Sequence, residues 1–293
     1  MNTAEIEHNL SFLTDVIEGD KNEFIKNNLP LLTKLNLSGF KNSLEDKILL
    51  PKLSVNHKQY AKDKTRFIAH AGGGIDGNSY TNSLEAMDLN YKKGFRQFEL
   101  DFLKTSDGKI VAVHDWEQWR GYTNYTLEGV PSYKDFMNLK ILDKYTPMDI
   151  AMVNDWFALH DDAVLVTDKI NNPLEFSNQY EFKNRLIMEL FSWEAIKEAV
   201  HVGVRAMPSH NVVFSGSKNS NLERMLKYNI KEVALSRNAL VRNQEMFLKL
   251  KNNGIKIFAY HINDNIDKDE HYVVKYEMDY YHGIYADNWS FEK

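Results

Sequence analysis

Two acidic side chains, Glu99 and Asp101, alternate with apolar residues in the stretch FELDF. Alternate residues of a β-strand point to the same face, which would place the two carboxylates about 6.5 Å apart along the chain. Convergent carboxylates repel each other unless a proton or a cation lies between them, and oxygen ligands suit Mg²⁺ or Ca²⁺. This spacing predicts a divalent-cation site, to which Asp168 at the end of AVLVTD would add a third oxygen ligand. The alternative is that the carboxylates form structural salt bridges.

Two histidines lie at the ends of neighbouring apolar stretches, His70 in IAHAGG and His114 in VAVHDW. A lone histidine in a strand is more often a packed residue than a catalytic one, but these two flank the carboxylate pair. Imidazole is the side chain whose ordinary pKa lets one residue donate and another accept a proton near neutrality. Two histidines beside an oxygen-ligated metal suit phosphodiester cleavage, in which the metal neutralises phosphate oxygens and the imidazoles serve the attacking and leaving oxygens.

The segment 71–86, AGGGIDGNSYTNSLEA, combines a glycine run with helix-capping residues. Gly72 and Gly73 would let backbone N–H groups approach an anion closely, and Asn82 or Ser83 would cap the helix that follows. No GK[ST] element follows the glycines, so this is not a Walker loop. We therefore predict that Gly72, Gly73 and Asn82 contact a phosphate, the alternative being that the glycines only make a turn.

The elements that must position these residues are short apolar stretches that alternate with helical patterns. The candidate strands are 66–71, 96–101, 110–115, 163–168, 186–191, 204–208, 232–236, 256–262 and 283–286. The helical patterns lie near 83–93, 132–140, 148–160, 192–202, 219–228, 243–253 and 267–277. This alternation indicates βαβ units and a parallel sheet, and the span suits a (β/α)₈ TIM barrel of the α/β class.

The predicted barrel is somewhat irregular. Nine candidate strands exceed the eight positions of the fold, so one of them must lie outside the barrel. The connection between 96–101 and 110–115 is too short to contain a helix. In a parallel barrel the active-site groups project from the carboxyl ends of the strands, which is where the histidines and carboxylates named above fall.

Residues 1–64 differ from the rest of the chain and contain no cluster that could do chemistry. Their amphipathic period of four, three and four residues is carried by Ile6, Leu10, Leu13 and Ile17. This period predicts a helical N-terminal extension over 1–64, and the alternating strands and helices place the barrel over 65–293. The extension would pack on the barrel as a cap, or serve as a dimerisation arm.

The composition excludes several function classes. The 36 basic and 41 acidic residues give a net charge of −5, which argues against nucleic-acid binding through bulk charge. The absence of cysteine excludes a disulfide framework, a thiolate metal site and a cysteine nucleophile. No apolar run approaches the roughly 18–20 residues that span a bilayer, and Glu5 and Glu7 lie where a signal peptide carries basic residues. We expect a soluble, cytoplasmic protein without a transmembrane segment.

The order and spacing of these elements resemble the glycerophosphodiester phosphodiesterase family. The resemblance lies in IAHAGG, YTNSLEA and GFRQFELDFLKTSDGKIVAVHDW, which follow the family's strand ending in His, E-N-T-x-x-A, G-x-x-x-x-E-x-D, T-x-D-G and His-Asp. The ending GIYADN at 283–288 is similar to the family's last strand, with Asp287 at the Asp of T-D-N. The resemblance spans about 66–288.

Membership of this family implies a (β/α)₈ barrel that hydrolyses a small-molecule glycerophosphodiester with a divalent metal, either Mg²⁺ or Ca²⁺. The products would be an alcohol and a phosphomonoester such as glycerol 3-phosphate, a reaction of lipid or polysaccharide metabolism. Carried over by position, His70 and His114 would be the acid/base pair, with Glu99 and Asp101 as metal ligands. The intact E-x-D pair argues against the related phosphatidylinositol-specific phospholipases C, many of which use no metal.

Three departures from the family pattern bear on the substrate. Ala71 stands where the family has a phosphate-holding Arg directly after its first His, and the E-N-T element here lacks its Glu. The family's E-x-K corresponds to Thr167-Asp168-Lys169; an Asp ligand at this strand also occurs in the related venom phospholipase D enzymes. Lys169 and the glycine backbone are the candidates to replace the missing Arg.

The aromatic-rich segment 116–147 would lie on the active face and act as a lid over the leaving group, or simply be packed. We expect Trp119 in this segment to contact the substrate, and hence a preference for diesters with a larger head group. His210 and His261 are the further histidines placed best to reach the site. Two alternatives remain: a phosphodiester lyase or transferase that forms a cyclic phosphate or a new diester, and a non-catalytic barrel that binds phosphorylated ligands.

Overall fold

Nine short strands alternate with helices in residues 53–54, 56–264 and 268–291, the part of the chain that the computed structural model describes. The strands are β1 (Phe67–Ala69), β2 (Gln97–Lys104), β3 (Ile110–Ala112), β4 (Val164–Asp168), β5 (Leu186–Leu190), β6 (Arg205–Pro208), β7 (Glu232–Ser236), β8 (Lys256–Tyr260) and β9 (Gly283–Ala286). Each coincides with one of the nine predicted strands.

The described residues also form α-helices, most of which lie between successive strands in the sequence. They are α1 (His57–Tyr60), α2 (Leu84–Lys93), α3 (Trp116–Thr123), α4 (Tyr133–Asn138), α5 (Ile150–Leu159), α6 (Pro173–Ser177), α7 (Trp193–His201), α8 (His210–Phe214), α9 (Lys218–Lys227), α10 (Leu240–Asn252) and α11 (Glu270–Tyr276). All seven helical patterns correspond to a helix. The sequence did not indicate α1, α3, α6 and α8, which have eight residues or fewer and little room for a periodic pattern.

Eight parallel strands form the sheet in the order β6-β5-β4-β2-β1-β9-β8-β7. The strands β6 and β7 at the two ends of this order lie side by side, so the sheet forms a nearly closed (β/α)₈ barrel. The ninth strand, β3, pairs antiparallel with the outer part of β2. It is the predicted strand outside the barrel, because a connection of five residues closes a hairpin but cannot make a parallel crossover.

The barrel interior contains one apolar layer below a polar one. Inward-pointing side chains from seven strands form the apolar layer: Ile68, Val166, Ile187, Met207, Ala234, Phe258 and Tyr285. Burying each large apolar side chain contributes roughly 1.5–3 kcal/mol to folding. Two residues further along β4 and β5, the same inward face carries Asp168 and Glu189, and Asp101 of β2 pairs with Asp168. The apolar layer therefore supports a set of acidic groups at the carboxyl ends of the strands.

Local capping fixes the helix next to the first histidine. Ser83, one of the two predicted capping residues, accepts the N–H of Ala86 at the start of α2. The helix ends at Gly94, whose φ of 116° is a left-handed conformation that favours glycine. α2 thus begins directly after the 71–83 loop and holds its far end in place.

The predicted amphipathic helix that contains Ile6 and Ile17 lies outside the described residues. Of the predicted extension over 1–64, the structure describes residues 53–54 and 56–64, which include α1. Within the described part of the chain, none of the helices has both the length and the apolar character needed to cross a bilayer.

A buried ion pair holds the connection after β8. The guanidinium of Arg237, which follows β7, donates to both carboxylate oxygens of Glu277 at 2.8 and 2.7 Å. It also donates to the carbonyls of Ile262 and Lys268, which lie on either side of this connection. The two side chains are only 4% and 2% exposed, so neither charge is compensated by water.

Replacing Arg237 by methionine is expected to lower the free energy of unfolding by about 3–5 kcal/mol, because Glu277 would remain buried without its partner. Urea unfolding followed by circular dichroism measures this change. The control is Lys249→Met, which breaks the exposed pair with Glu245 and should change the same quantity by less than about 1 kcal/mol. Equal effects of the two substitutions would contradict the role given to Arg237.

Candidate active site

Three carboxylates meet at the carboxyl end of the barrel. Glu99 and Asp101 project from one face of β2, and the pairing of β2 with β4 sets Asp101 directly opposite Asp168. One oxygen atom from each of the three carboxylates lies within 4.8 Å of the others. The structure therefore brings together the three residues that the sequence nominated as metal ligands.

The three carboxylates place negative charges close together. Burial raises the pKa of Glu99 well above its usual range, and the neighbouring Asp101 and Asp168 raise it further. Burial and then Asp168 likewise raise the pKa of Asp101. Among the described residues, Glu99 Oε1 is buried and has no hydrogen-bond partner. Three oxygen donors, one of them unpartnered, fit a hard divalent cation.

The 71–83 loop orients two of these carboxylates. The backbone N–H of Ala71 donates to Glu99 Oε2 at 2.7 Å. The Asn82 side chain donates to Asp101 Oδ2 at 2.9 Å and accepts the backbone N–H of Asp101 at 3.0 Å. Ala71 and Asn82 both have φ near +50°, and both are buried. The sequence predicted that Asn82 contacts a phosphate. In the structure its side chain is hydrogen-bonded to Asp101 and orients that carboxylate.

Each of the two nominated histidines has its own carboxylate partner. His70 directly follows β1, and its Nδ1 lies 3.2 Å from Asp287 Oδ1 at the end of β9. His114 Nδ1 lies 2.7 Å from Asp115 Oδ2. A carboxylate on Nδ1 fixes the ring orientation and the tautomer, which leaves Nε2 for proton exchange. The two rings therefore have the surroundings of acid/base groups.

The pKa of His70 reflects two opposing influences. Burial of the ring lowers it, because the low-dielectric surroundings disfavour the charged imidazolium. The hydrogen bond and charge of Asp287, with smaller contributions from Asp101 and Asp168, outweigh burial and raise the pKa above its usual value. This increase favours the imidazolium form, which is the form that a general acid needs.

Tyr80 connects the two histidines and was not indicated by the sequence. Its ring centroid lies 4.4 Å from that of His70 and 4.8 Å from that of His114, with edge-on geometry in both cases. No sequence pattern points to this residue, because its place depends on the path of the 71–83 loop. The contact shows that His70 and His114 line the same cleft.

The glycine run has a packing function in place of the predicted anion contact. The N–H of Gly73 donates to the His70 carbonyl and the N–H of Gly74 to the Asp287 carbonyl, both at 2.7 Å. The side chain of Asn90 in α2 donates to the carbonyls of Gly72 and Gly74. A Cβ on Gly73 would lie 2.3 Å from Asn90 Nδ2, so the close approach requires glycine. The N–H groups of Gly73 and Gly74 are not available to a phosphate.

Trp119 and Lys169, the two remaining residues predicted to bind the substrate, lie in different surroundings. Trp119 is 2% exposed and stacks on Phe136 at 5.5 Å within a cluster that includes Val111 and Val113. It therefore packs the 116–147 segment internally, where a substrate cannot reach it. Lys169 lies beside the carboxylates, with its Nζ 4.0 Å from Asp168 Oδ2, and keeps its place as a phosphate-binding candidate.

Two further acidic residues belong to the same end of the barrel. Glu189 on β5 is buried, accepts the Tyr285 hydroxyl at 3.1 Å, and has a pKa raised well above its usual range by burial and then by Asp168. Its alternation with the inward-pointing Ile187 could have indicated this position. Asp287, the partner of His70, follows β9 as the other site residues follow their strands.

The two histidines expected nearest to the site lie close to each other. His261 follows β8, and its Nδ1 is 3.0 Å from the Ser236 hydroxyl at the end of β7. Burial and the nearby His261 lower the pKa of His210, the first residue of α8. Neither histidine has a described contact with the three carboxylates.

Comparison with known proteins rests on structure, since no family model matches the chain and no curated protein matches its sequence. A glycerophosphodiester phosphodiesterase from Thermotoga maritima superposes with a TM-score of 0.58 at 20% identity, covering 75% of this chain and 93% of that one. One from Parabacteroides distasonis gives a TM-score of 0.57 at 15% identity, covering 76% and 92%.

A phosphodiesterase from Oleispira antarctica, solved in complex with the product sn-glycerol-3-phosphate, gives a TM-score of 0.53 at 16% identity, covering 68% of this chain and 85% of that one. These similarities establish that the chain has the barrel fold of these structures.

Proposed function

We propose that this protein is a member of the glycerophosphodiester phosphodiesterase family and hydrolyses a small glycerophosphodiester to an alcohol and a phosphomonoester. The observation that carries the proposal is the meeting of three carboxylates with two carboxylate-paired imidazoles at one end of the barrel. The ordered resemblance over 66–288 supports it. So does the phosphodiesterase of the same fold that was solved in complex with the product sn-glycerol-3-phosphate.

Glu99, Asp101 and Asp168 would hold the divalent cation, with Mg²⁺ and Ca²⁺ as the candidates because all donors are carboxylate oxygens. When bound, the ion supplies charge that neutralises the phosphate and polarises the phosphorus–oxygen bonds. Asn82 and the Ala71 N–H keep two of the ligands in place. Lys169 adds a positive charge next to the site for the phosphate.

In the proposed reaction a water oxygen attacks the phosphorus, and the bond from phosphorus to the alcohol oxygen breaks. One imidazole accepts the proton that the water loses, and the other donates a proton to the departing alcohol. Asp287 and Asp115 would orient the rings of His70 and His114 respectively, through the Nδ1 atoms. The raised pKa of His70 would suit it to the proton-donating role.

The test is product analysis by phosphorus NMR after incubation with glycerophosphodiesters in ¹⁸O-labelled water and either Mg²⁺ or Ca²⁺. Hydrolysis predicts a phosphomonoester that carries one labelled oxygen. A cyclic phosphate or an unlabelled new diester would support a lyase or transferase instead, and the absence of turnover with every substrate and both metals would support a non-catalytic barrel.

The substrate panel compares glycerophosphoethanolamine with glycerophosphodiesters that carry a sugar or nucleoside head group. The sequence-based preference for a large head group depended on Trp119 facing the substrate, and the burial of this side chain removes that reason. The proposal is therefore restricted to glycerophosphodiesters as a class. The cytoplasmic location remains a prediction from the sequence.

Replacing Asn82 by alanine is expected to weaken the binding of Mg²⁺ or Ca²⁺ by roughly 10–100-fold, because Asp101 would lose the side chain that orients it. Isothermal titration calorimetry measures this affinity. Asn78→Ala is the matched control in the same loop, since its side chain contacts only loop carbonyls. Unchanged metal affinity in the Asn82 variant would contradict the positioning role.

A further inference from the structure

Tyr80 lies in contact with both imidazoles that the proposed reaction needs. Its ring is edge-on to His70 and to His114, at centroid distances of 4.4 and 4.8 Å. Its backbone φ is +55°, a left-handed conformation that a bulky aromatic residue adopts rarely. The loop therefore holds the ring between the histidines at a conformational cost, and such a cost is typical of functional sites.

The hydroxyl group of Tyr80 has no hydrogen-bond partner among the described residues, although tyrosine hydroxyls in partly buried sites usually have one. Burial raises the pKa of Tyr80, and the charges of Asp287, Glu99 and Asp101 raise it further. These influences favour the protonated, neutral hydroxyl. The ring between the two histidines thus carries a neutral hydrogen-bond donor that no described residue accepts from.

The phosphate of a bound diester needs donors that other parts of the site do not supply. The side chain of Ala71, where the family has arginine, is buried, and its N–H is engaged by Glu99. The N–H groups of Gly73 and Gly74 are engaged by carbonyls. Among the residues expected from the sequence to contact a phosphate, Lys169 supplies a charged donor, and it approaches from β4.

We propose that Tyr80 is a substrate-binding residue whose hydroxyl donates a hydrogen bond to a non-bridging phosphate oxygen of the diester. The hydroxyl supplies on the side of His70 a contact that Ala71 cannot make. The edge-on contacts of the ring also limit the movement of both imidazoles. This inference rests on the proposed function, because it assigns the phosphate of that reaction to the cleft between His70 and His114.

The experiment compares Tyr80→Phe, Tyr80→Ala and the wild type in two measurements with saturating Mg²⁺ or Ca²⁺. The first is kcat/KM for a glycerophosphodiester, and the second is the Kd of inorganic phosphate by titration calorimetry. Tyr80→Phe keeps the ring and removes only the donor, so we expect about a 10–100-fold decrease in kcat/KM and a weaker phosphate affinity by about 10-fold or more. The affinity for the metal alone should not change.

Tyr122→Phe is the matched control, because Tyr122 donates to the backbone carbonyl of Ser79 next to Tyr80 and belongs to none of the site groups. It should retain both wild-type values. A Tyr80→Phe variant with wild-type phosphate affinity would overturn the proposal. An increase of kcat/KM in Tyr80→Ala would also overturn it, since it would mean that the ring obstructs the substrate.

The phosphate measurement separates the two proposals. If the wild type binds phosphate but cleaves no glycerophosphodiester, the proposed function fails, and the affinities of the Tyr80 variants still decide the role of the hydroxyl. If the wild type binds no phosphate, the inference about Tyr80 fails.

Discussion

Replacing His70 or His114 by alanine is expected to lower kcat by roughly 10²–10⁴-fold, the range of general acid–base catalysis by a positioned side chain. Each ring is held by its own carboxylate, Asp287 or Asp115, so neither histidine can take over the proton transfer of the other. Steady-state kinetics at saturating substrate and metal measure the decrease. Circular dichroism verifies that each variant remains folded.

The double variant provides a second, independent observation. If the two imidazoles act in one reaction, removing both should lower kcat by less than the product of the single effects. His201→Ala, an exposed histidine of α7, is the control and should retain wild-type turnover. Near wild-type turnover in either single variant would exclude that histidine from the chemistry.

Removing the divalent cation is expected to abolish turnover, and Mg²⁺ or Ca²⁺ should restore it. In the absence of a cation, burial and mutual repulsion raise the pKa values of Glu99 and Asp101, so these groups retain protons to a higher pH than ordinary carboxyl groups. A cation must displace those protons, and its affinity should therefore rise with pH. Turnover after EDTA treatment and metal readdition, together with metal titrations at several pH values, tests both expectations.

Glu99→Gln and Asp101→Asn should abolish turnover even when metal is present. Each substitution removes one charged ligand of the proposed metal site while preserving the size of the side chain. Glu175→Gln is the matched control, since Glu175 forms a surface ion pair with Lys104. Full turnover in a preparation shown by elemental analysis to contain no divalent metal would contradict the metal-dependent mechanism.

The sequence was sufficient to predict the strands of the barrel and the meeting of the three carboxylates. Period-two alternation is a local property, so FELDF by itself sets Glu99 and Asp101 on one face, and AVLVTD sets Asp168 at a strand end. A parallel barrel then collects all carboxyl strand ends at one face. For this reason His70 and His114 could be nominated before any contact was known.

Only the tertiary structure decided which groups those residues contact. His70 meets Asp287 because β1 pairs with β9, which closes the barrel between distant parts of the chain. The glycine N–H groups, Asn82 and Trp119 received structural partners in place of the predicted ligand contacts, because hydrogen bonds within the 71–83 loop and packing within 116–147 depend on three-dimensional proximity. Tyr80 lies between the histidines for the same reason: the path of a loop is set by what it packs against, and no periodic pattern in the sequence encodes it.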